Sequence, residues 1–445
     1  MAPRLGVSTG SLADEMNRDP KMVVLSKTLS PDDWRKIVTY YLQNAPDSLS
    51  EQSLAVAPSL DPRFFRTEVF APRLSSSAII TLLKVDASHQ RIFVGEAGAN
   101  TLRVFDFDRR QLSSLTLASP PTDLVVDGDS VLVLESGILN PNDEPRGRLV
   151  KYELADADSL RAPRVLLDSL FRPVFARQFD FDEDGRQDLL VCEYGNNRGR
   201  LALYRGSGSG YERIVIDATP GAIRFEIRDM TADGAPDIVA LFAQADERIV
   251  LFENDGKGRF SARPRVLARF PPVYGSMYFS MHDFNGDGSM DFIYVNGDNF
   301  DYSRVLKPYH GVRILENDGR NNFAERYFFP LYGAARAEVA DFDKDGDLDI
   351  LATSNFADAR KHPERGIVFL ENKGRYQFQP YSFSAAAGNQ WNLTATADLD
   401  RDGWLDVVVG AMDLRSVGIF QRQYSTSMQT TRNPILVLEN RMRAR

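Results

Sequence analysis

One cysteine, Cys192, and four histidines are all this 445-residue chain offers in thiol or imidazole groups. A single thiol excludes an intramolecular disulfide. His89, His282 and His362 are scattered along the sequence, and no zinc-type spacing joins them. No stretch is apolar enough to span a membrane. No basic block marks a nucleic-acid surface. Neither a phosphate-cradling glycine loop nor a serine-hydrolase elbow is present, so no catalytic motif is recognised. The opening residues, MAPRLGVSTGSLADEM, lack the apolar core of an export signal. What the chain has in excess is carboxylate: its formal net charge is −9.

Most of that acidity sits in five copies of one pattern, D-x-[DNT]-x-D-G-x-x-D. It reads DFDEDGRQD at 180–188, DMTADGAPD at 229–237, DFNGDGSMD at 283–291, DFDKDGDLD at 341–349 and DLDRDGWLD at 398–406. The starts are 49, 54, 58 and 57 residues apart. A period near 50 means that one supersecondary unit is repeated.

Calcium is a hard cation that takes six to eight oxygen ligands in a flexible shell. A tight loop supplies them with side chains at positions 1, 3, 5 and 9 and a backbone carbonyl at position 7, while Gly at position 6 permits the turn. The first loop then offers Asp180, Asp182, Asp184, the carbonyl of Arg186, and Asp188. The second offers Asp229, Thr231, Asp233, Ala235 and Asp237, and the third Asp283, Asn285, Asp287, Ser289 and Asp291. The fourth offers Asp341, Asp343, Asp345, Asp347 and Asp349, and the fifth Asp398, Asp400, Asp402, Trp404 and Asp406. Up to five Ca²⁺ sites follow, the weakest at 229–237, where Thr231 is a poor ligand. An EF-hand would need a Glu at position 12 and flanking helices; here the flanks are apolar and β-rich, so each loop joins two strands. The loops hold 18 side-chain carboxylates at positions 1, 3, 5 and 9, and five Ca²⁺ would change the net charge from −9 to about +1. Sites of this kind fit millimolar calcium, which points to an extracytoplasmic location, periplasm or cell surface, although the chain shows no export signal.

From Phe64 onward the apolar period is two. Seven four-strand units fit, at about 77–115, 120–168, 173–216, 222–268, 276–330, 335–384 and from Asn392 to the strand ILVLEN at 435–440. The last unit lacks an outer strand, and FFRTEVF at 64–70 has no partner of its own. The expected fold is therefore all-β: a seven-bladed β-propeller closed by its N-terminal strand, which protects the sheet edges. Before it, Ser30 can cap a helix that Pro46 ends, with Trp34, Ile37, Val38, Tyr41 and Leu42 on one face. Residues 47–62 look like a linker. Residues 1–62 are taken as a helical segment and linker, and 63–445 as the propeller, with the helix expected to pack on the ring.

The D-x-D-x-D-G-x-x-D loops and the E-N-D-G-x-x-x-F strand endings, over roughly 170–440, resemble the FG-GAP/VCBS repeat family, closer to its bacterial VCBS-type branch. The resemblance implies calcium at one end of the ring and ligand binding at the other; the family spans adhesion, lectin and lyase activities, so fold does not decide function. MVVLSKTLSPDDWRKIVTYYLQNAP resembles the end of a c-type cytochrome domain, with Met22 in the axial position. No Cys-x-x-Cys-His exists in the chain, which excludes covalent haem in it.

Opposite the calcium loops, long connections crowd one rim: 296–311, 354–366 and 411–434. The first is densest in chemistry, with Asp298, Asp301, Tyr302, Lys307, Tyr309 and His310. Aromatic, carboxylate and amide groups suit a glycan or protein ligand. Tyr309 or His310 as base, with Lys307 or Arg304 neutralising a uronate, would suit a polysaccharide lyase. A binding scaffold, monomeric, without a transmembrane segment or nucleic-acid partner, is the favoured reading. The alternatives are that lyase and a component of a cytochrome-associated surface complex.

Overall fold

The computed structural model describes residues 30–70, 74, 78–155, 159–208, 210–298, 305–412 and 433–442. Its strands follow from two kinds of sequence run. Short continuous apolar runs become the second strand of each blade. Asp188–Glu193, Asp237–Phe242, Asp291–Asn296, Asp349–Ser354 and Asp406–Ala411 are buried at every residue. Such a strand is covered on both faces by neighbouring blades, so nothing selects for alternation. Outer strands alternate instead: Gln111–Thr116 exposes every second side chain or more.

Seven sheets result, each built on four antiparallel strands. Blades 1 to 6 run in chain order from the inner strands Ile80–Asp86, Pro121–Asp127, Pro173–Phe179, Ala222–Arg228, Ser276–His282 and Ala334–Ala340. Blade 7 takes Trp391–Ala397, Asp406–Ala411 and Ile435–Asn440 from the end of the chain, and Phe65–Val69 from its start. The register runs from Phe65 opposite Asn440 to Val69 opposite Leu436. The closure expected from the sequence is thus present.

Apolar clusters lie between blades. Phe65, Phe342, Phe369, Phe383 and Trp391 fill the seam of blades 6 and 7, with half-buried Trp404 against them. Trp391 donates its Nε1–H to the Ala386 carbonyl (2.8 Å), so its one polar atom is satisfied. Cys192 sits in the seam of blades 3 and 4, and burial pushes its thiol well above the ordinary range, which makes it an inert packing residue.

Two expectations for the N-terminal region need correction. The helix Pro31–Asn44 forms, with Ser30 Oγ accepting the Asp33 N–H (3.1 Å), but none of its residues is buried; Tyr41 and Leu42 are 68% and 77% exposed. The stretch expected to be a linker does dock. Gln52 donates to the carbonyls of Pro308 (3.2 Å) and His310 (2.7 Å), and its N–H goes to the Tyr332 hydroxyl (2.8 Å). Leu54 packs on the seam of blades 5 and 6, and Glu51 pairs with Lys361. Ser59–Leu60 then adds a fifth, parallel strand to blade 6 beside Phe378–Ser382, and Asp61 bonds on to Ser382 and Ser384. This strap is invisible in the sequence because two residues of strand carry no periodicity.

Candidate metal centres on one face of the ring

All five acidic loops connect the first and second strands of blades 3 to 7, and so share one face. Each turns by two left-handed residues. Position 6 is Gly in every copy, with φ between 82° and 98°. A Cβ there would meet nothing closer than 3.7 Å, so the glycine is required by its backbone angle, not by crowding. Position 4 is also left-handed, at Glu183, Ala232, Gly286, Lys344 and Arg401, a strain the pattern did not reveal.

The side chains play three roles. Position 1 gathers loop N–H groups: Gly185 donates to Asp180 and Gly234 to Asp229, both at 2.9 Å, and Gly288 to Asp283 at 2.8 Å. Gly346 and Gly403 do the same for Asp341 and Asp398. Position 9 is buried and clamps the loop to the sheet. Asp349 accepts from the N–H of Phe342 (3.0 Å) and of Asn372 (2.8 Å), and Asp188, Asp237, Asp291 and Asp406 repeat this. Position 5 braces the second half of the loop. Asp184, Asp233, Asp287, Asp345 and Asp402 each accept the N–H of position 7, that of Arg186, Ala235, Ser289, Asp347 and Trp404 respectively.

Positions 1, 3 and 9 converge most tightly, and position 5 lies beside position 3: Asn285 donates from Nδ2 to Asp287 (2.8 Å). Three groups hold their carboxylate oxygens within 4.8 Å of one another: Asp180, Asp182, Asp188; Asp341, Asp343, Asp349; and Asp398, Asp400, Asp406. These are the loops with Asp at position 3. In the other two that place is taken by Thr231 and Asn285, and among the described residues no such acidic group forms there. Each three-carboxylate group is the core of the five-ligand shell drawn from the pattern, and the position-5 carboxylate beside it spends one oxygen on the loop's own backbone.

Electrostatics mark the centres as wanting a cation. Burial, then repulsion from Asp343 and Asp345, pushes Asp349 up to about 8. Burial, opposed by its N–H donors, pushes Asp406 up to about 6, with Asp400 and Asp402 adding to the rise. Asp343, also raised to about 6, suffers burial and its neighbour Asp345. Two carboxylate oxygens, Asp182 Oδ1 and Asp398 Oδ1, are buried without any hydrogen-bond donor. Converging hard oxygens with unspent lone pairs fit a divalent cation.

A family model for the FG-GAP-like repeat matches residues 180–240 and 229–294. Residues 180–294 carry FG-GAP-like repeats. The matches take in the loops at 180, 229 and 283; those at 341 and 398 repeat the same geometry beyond them. The match does not reach the N-terminal helical segment, and Met22 lies outside the described residues. No curated protein matches the chain.

The cross-blade hydrogen bonds also explain the asparagine of the E-N strand endings, which in the sequence is only a likeness. Asn254 and Asn440 each donate from Nδ2 to a loop of the preceding blade, at Phe181 (3.1 Å) and Phe342 (2.9 Å).

On the opposite rim the four described residues of the six singled out do not form one exposed site. Asp301, Tyr302 and Arg304 lie outside the described residues. Asp298 is half-buried, its N–H on the Gly275 carbonyl. Lys307 is buried and donates to the Val305 carbonyl (3.2 Å). His310 is 2% exposed, accepts the Gly333 N–H at Nδ1, and is pushed down to about 3 by burial and by Lys307 and Arg313. A buried, neutral imidazole is no surface base, which removes His310 from the catalytic reading. Tyr309 is half-buried and stacks on Tyr274 (centroids 5.4 Å, 12°). The strap crosses this rim through Gln52. No helix among the described residues is long and apolar enough to cross a membrane.

Proposed function

We propose that this chain is a calcium-loaded binding scaffold working outside the cytosol, its metal-bearing face structural and its opposite rim given to a glycan or protein partner. The observation that carries the reading is the convergence of three aspartates in each of three blades, with donor-free buried oxygens at Asp182 and Asp398. Asp180, Asp182 and Asp188, and their counterparts in blades 6 and 7, would hold the ion; Ca²⁺ would supply charge neutralisation and cross-linking, with no redox chemistry. The loops at 229 and 283 would bind more weakly. Millimolar affinity suits a compartment with millimolar calcium.

On the rim, the stacked pair Tyr274–Tyr309 is the feature suited to a sugar face, and this favours binding over lyase chemistry now that His310 is inaccessible. The test is calorimetric titration of chelator-stripped protein with calcium. Three saturable sites are expected, with weaker uptake beyond them; absence of uptake overturns the reading. A glycan array on the calcium-loaded protein, with Tyr309→Ala as control, tests the rim.

A further inference from the structure

Neighbouring loops are joined by a relay of hydrogen bonds. In blade 6, Phe342 donates its N–H to Asp349 (3.0 Å) and offers its carbonyl to Asn440 of blade 7 (2.9 Å). Asn440 in turn donates its own N–H to Asp406 (2.7 Å). Asp349 and Asp406, the buried position-9 carboxylates of two adjacent centres, are thus connected through two residues, Phe342 and Asn440, which are 1% and 0% exposed. A second contact joins the same loops: Lys344 donates to the Gly403 carbonyl (2.6 Å) and lies 4.4 Å from the ring centre of Trp404. Gly403 donates its N–H to Asp398, the first ligand of blade 7 (2.9 Å). Blades 3 and 4 repeat the asparagine relay, from Asp188 through Phe181 and Asn254 to Asp237, but there the second loop has Thr231 in place of a carboxylate at position 3.

We propose that the blade 6 and blade 7 centres load cooperatively, a cation in either raising the affinity of the other. This rests on the metal reading above. A cation at 341–349 fixes the position of Asp349. That fixes Phe342, whose carbonyl fixes Asn440, whose N–H presents Asp406 in the ligating position. Ordering already done for the first ion is not required again for the second, which is positive coupling without a large structural change. Reciprocity follows from linkage. The sign separates this from simple electrostatics, because two cations repel through space and would weaken each other.

Trp404 makes the pair readable. It occupies position 7 of the blade 7 loop, whereas Trp391 lies at the far end of its strand, about 20 Å away. Terbium luminescence sensitised by tryptophan falls steeply with distance, so in a Trp34→Phe background the signal reports the two centres beside Trp404, at 398–406 and, across Lys344, at 341–349, and Asp343→Asn leaves the first of them. Titrating the full chain with Tb³⁺, Asp343→Asn, which disables blade 6, is expected to raise the midpoint of the Trp404-sensitised step by about fivefold or more. Lys344→Met, at an exposed position, should shrink that ratio, and Asn440→Ala should abolish it if the protein folds. An unchanged or lowered midpoint in Asp343→Asn, with signal present, overturns the coupling and leaves the metal reading standing. No sensitised signal in the unaltered chain overturns both.

Discussion

Stripping the cation and raising the pH should together loosen the ring from its acidic face. Asp349 is fully buried and held near 8, first by burial and then by Asp343 and Asp345. In an unfolded chain a carboxyl titrates near about 4. The folded value is the raised one, so between about pH 4 and pH 8 the metal-free folded chain binds more protons than the unfolded chain. Its stability therefore falls as pH rises through that window. Each tenfold change in a proton's dissociation constant is worth about 1.4 kcal/mol, so Asp349 alone can remove several kcal/mol by pH 8, and Asp406, raised to about 6, adds a smaller share below that. A bound cation reverses the preference by favouring the ionised carboxylates. It adds about 1.4 kcal/mol per site at tenfold excess over Kd and about 2.7 at hundredfold. Thermal melts at pH 5, 6, 7 and 8, in chelator and in millimolar calcium, read this directly. The two Tm curves should lie close at pH 5 and separate toward pH 8, the chelated one falling. Parallel curves, or a chelated Tm that rises from pH 5 to pH 8, would refute the argument.

Three further outcomes are expected. Phe65→Ala removes a ring that is 7% exposed and packs edge-on against Phe369 and Phe383, so it should cost about 3–5 kcal/mol in denaturant unfolding, with blade 7 the first to exchange amide hydrogens. Asp398→Asn should remove more of the calcium-dependent rise in Tm than Asp229→Asn, because only the first belongs to a three-carboxylate centre; equal losses in the two melts would contradict that ranking. Gln52→Ala deletes two side-chain hydrogen bonds on the rim, each worth about 1 kcal/mol, and limited proteolysis should then cut faster near residue 52 while the ring's own melting changes little.

The blade count, the closing strand and the location of the loops were legible because each is written as a local pattern: an apolar run, an alternating run, an Asp-Gly turn. The sequence placed sites in all five loops and ranked the one at 229 weakest; the three tight acidic groups fall where position 3 is Asp, and the loops with Thr231 and Asn285 form none among the described residues. The roles within a loop were not legible. Asp182 and Asp184 are both aspartates two residues apart, and only the backbone decides that the first faces the centre and the second accepts the Arg186 N–H. The rim was misjudged for a related reason. His310 and Lys307 look like surface chemistry in a polar loop, but Gln52, 258 residues from His310, bonds its carbonyl as the strap crosses. Asn440 looks like one letter of a repeat signature; its cross-blade bond is long-range and leaves no trace in spacing.

The order of attachment along the N-terminal strap has a mechanical consequence. Phe65 lies opposite Asn440, so the chain enters and leaves blade 7 at the same end of the closing pair. Tension drawn between the two ends there would peel the pair open one hydrogen-bonded step at a time, the weakest way to load a sheet. Gln52, the short strand Ser59–Leu60 and Asp61 all grip before that point, and they grip blades 5 and 6 rather than blade 7. A pull on the exposed helix is therefore delivered to neighbouring blades first, and the strap acts as strain relief for the seam that keeps the ring shut.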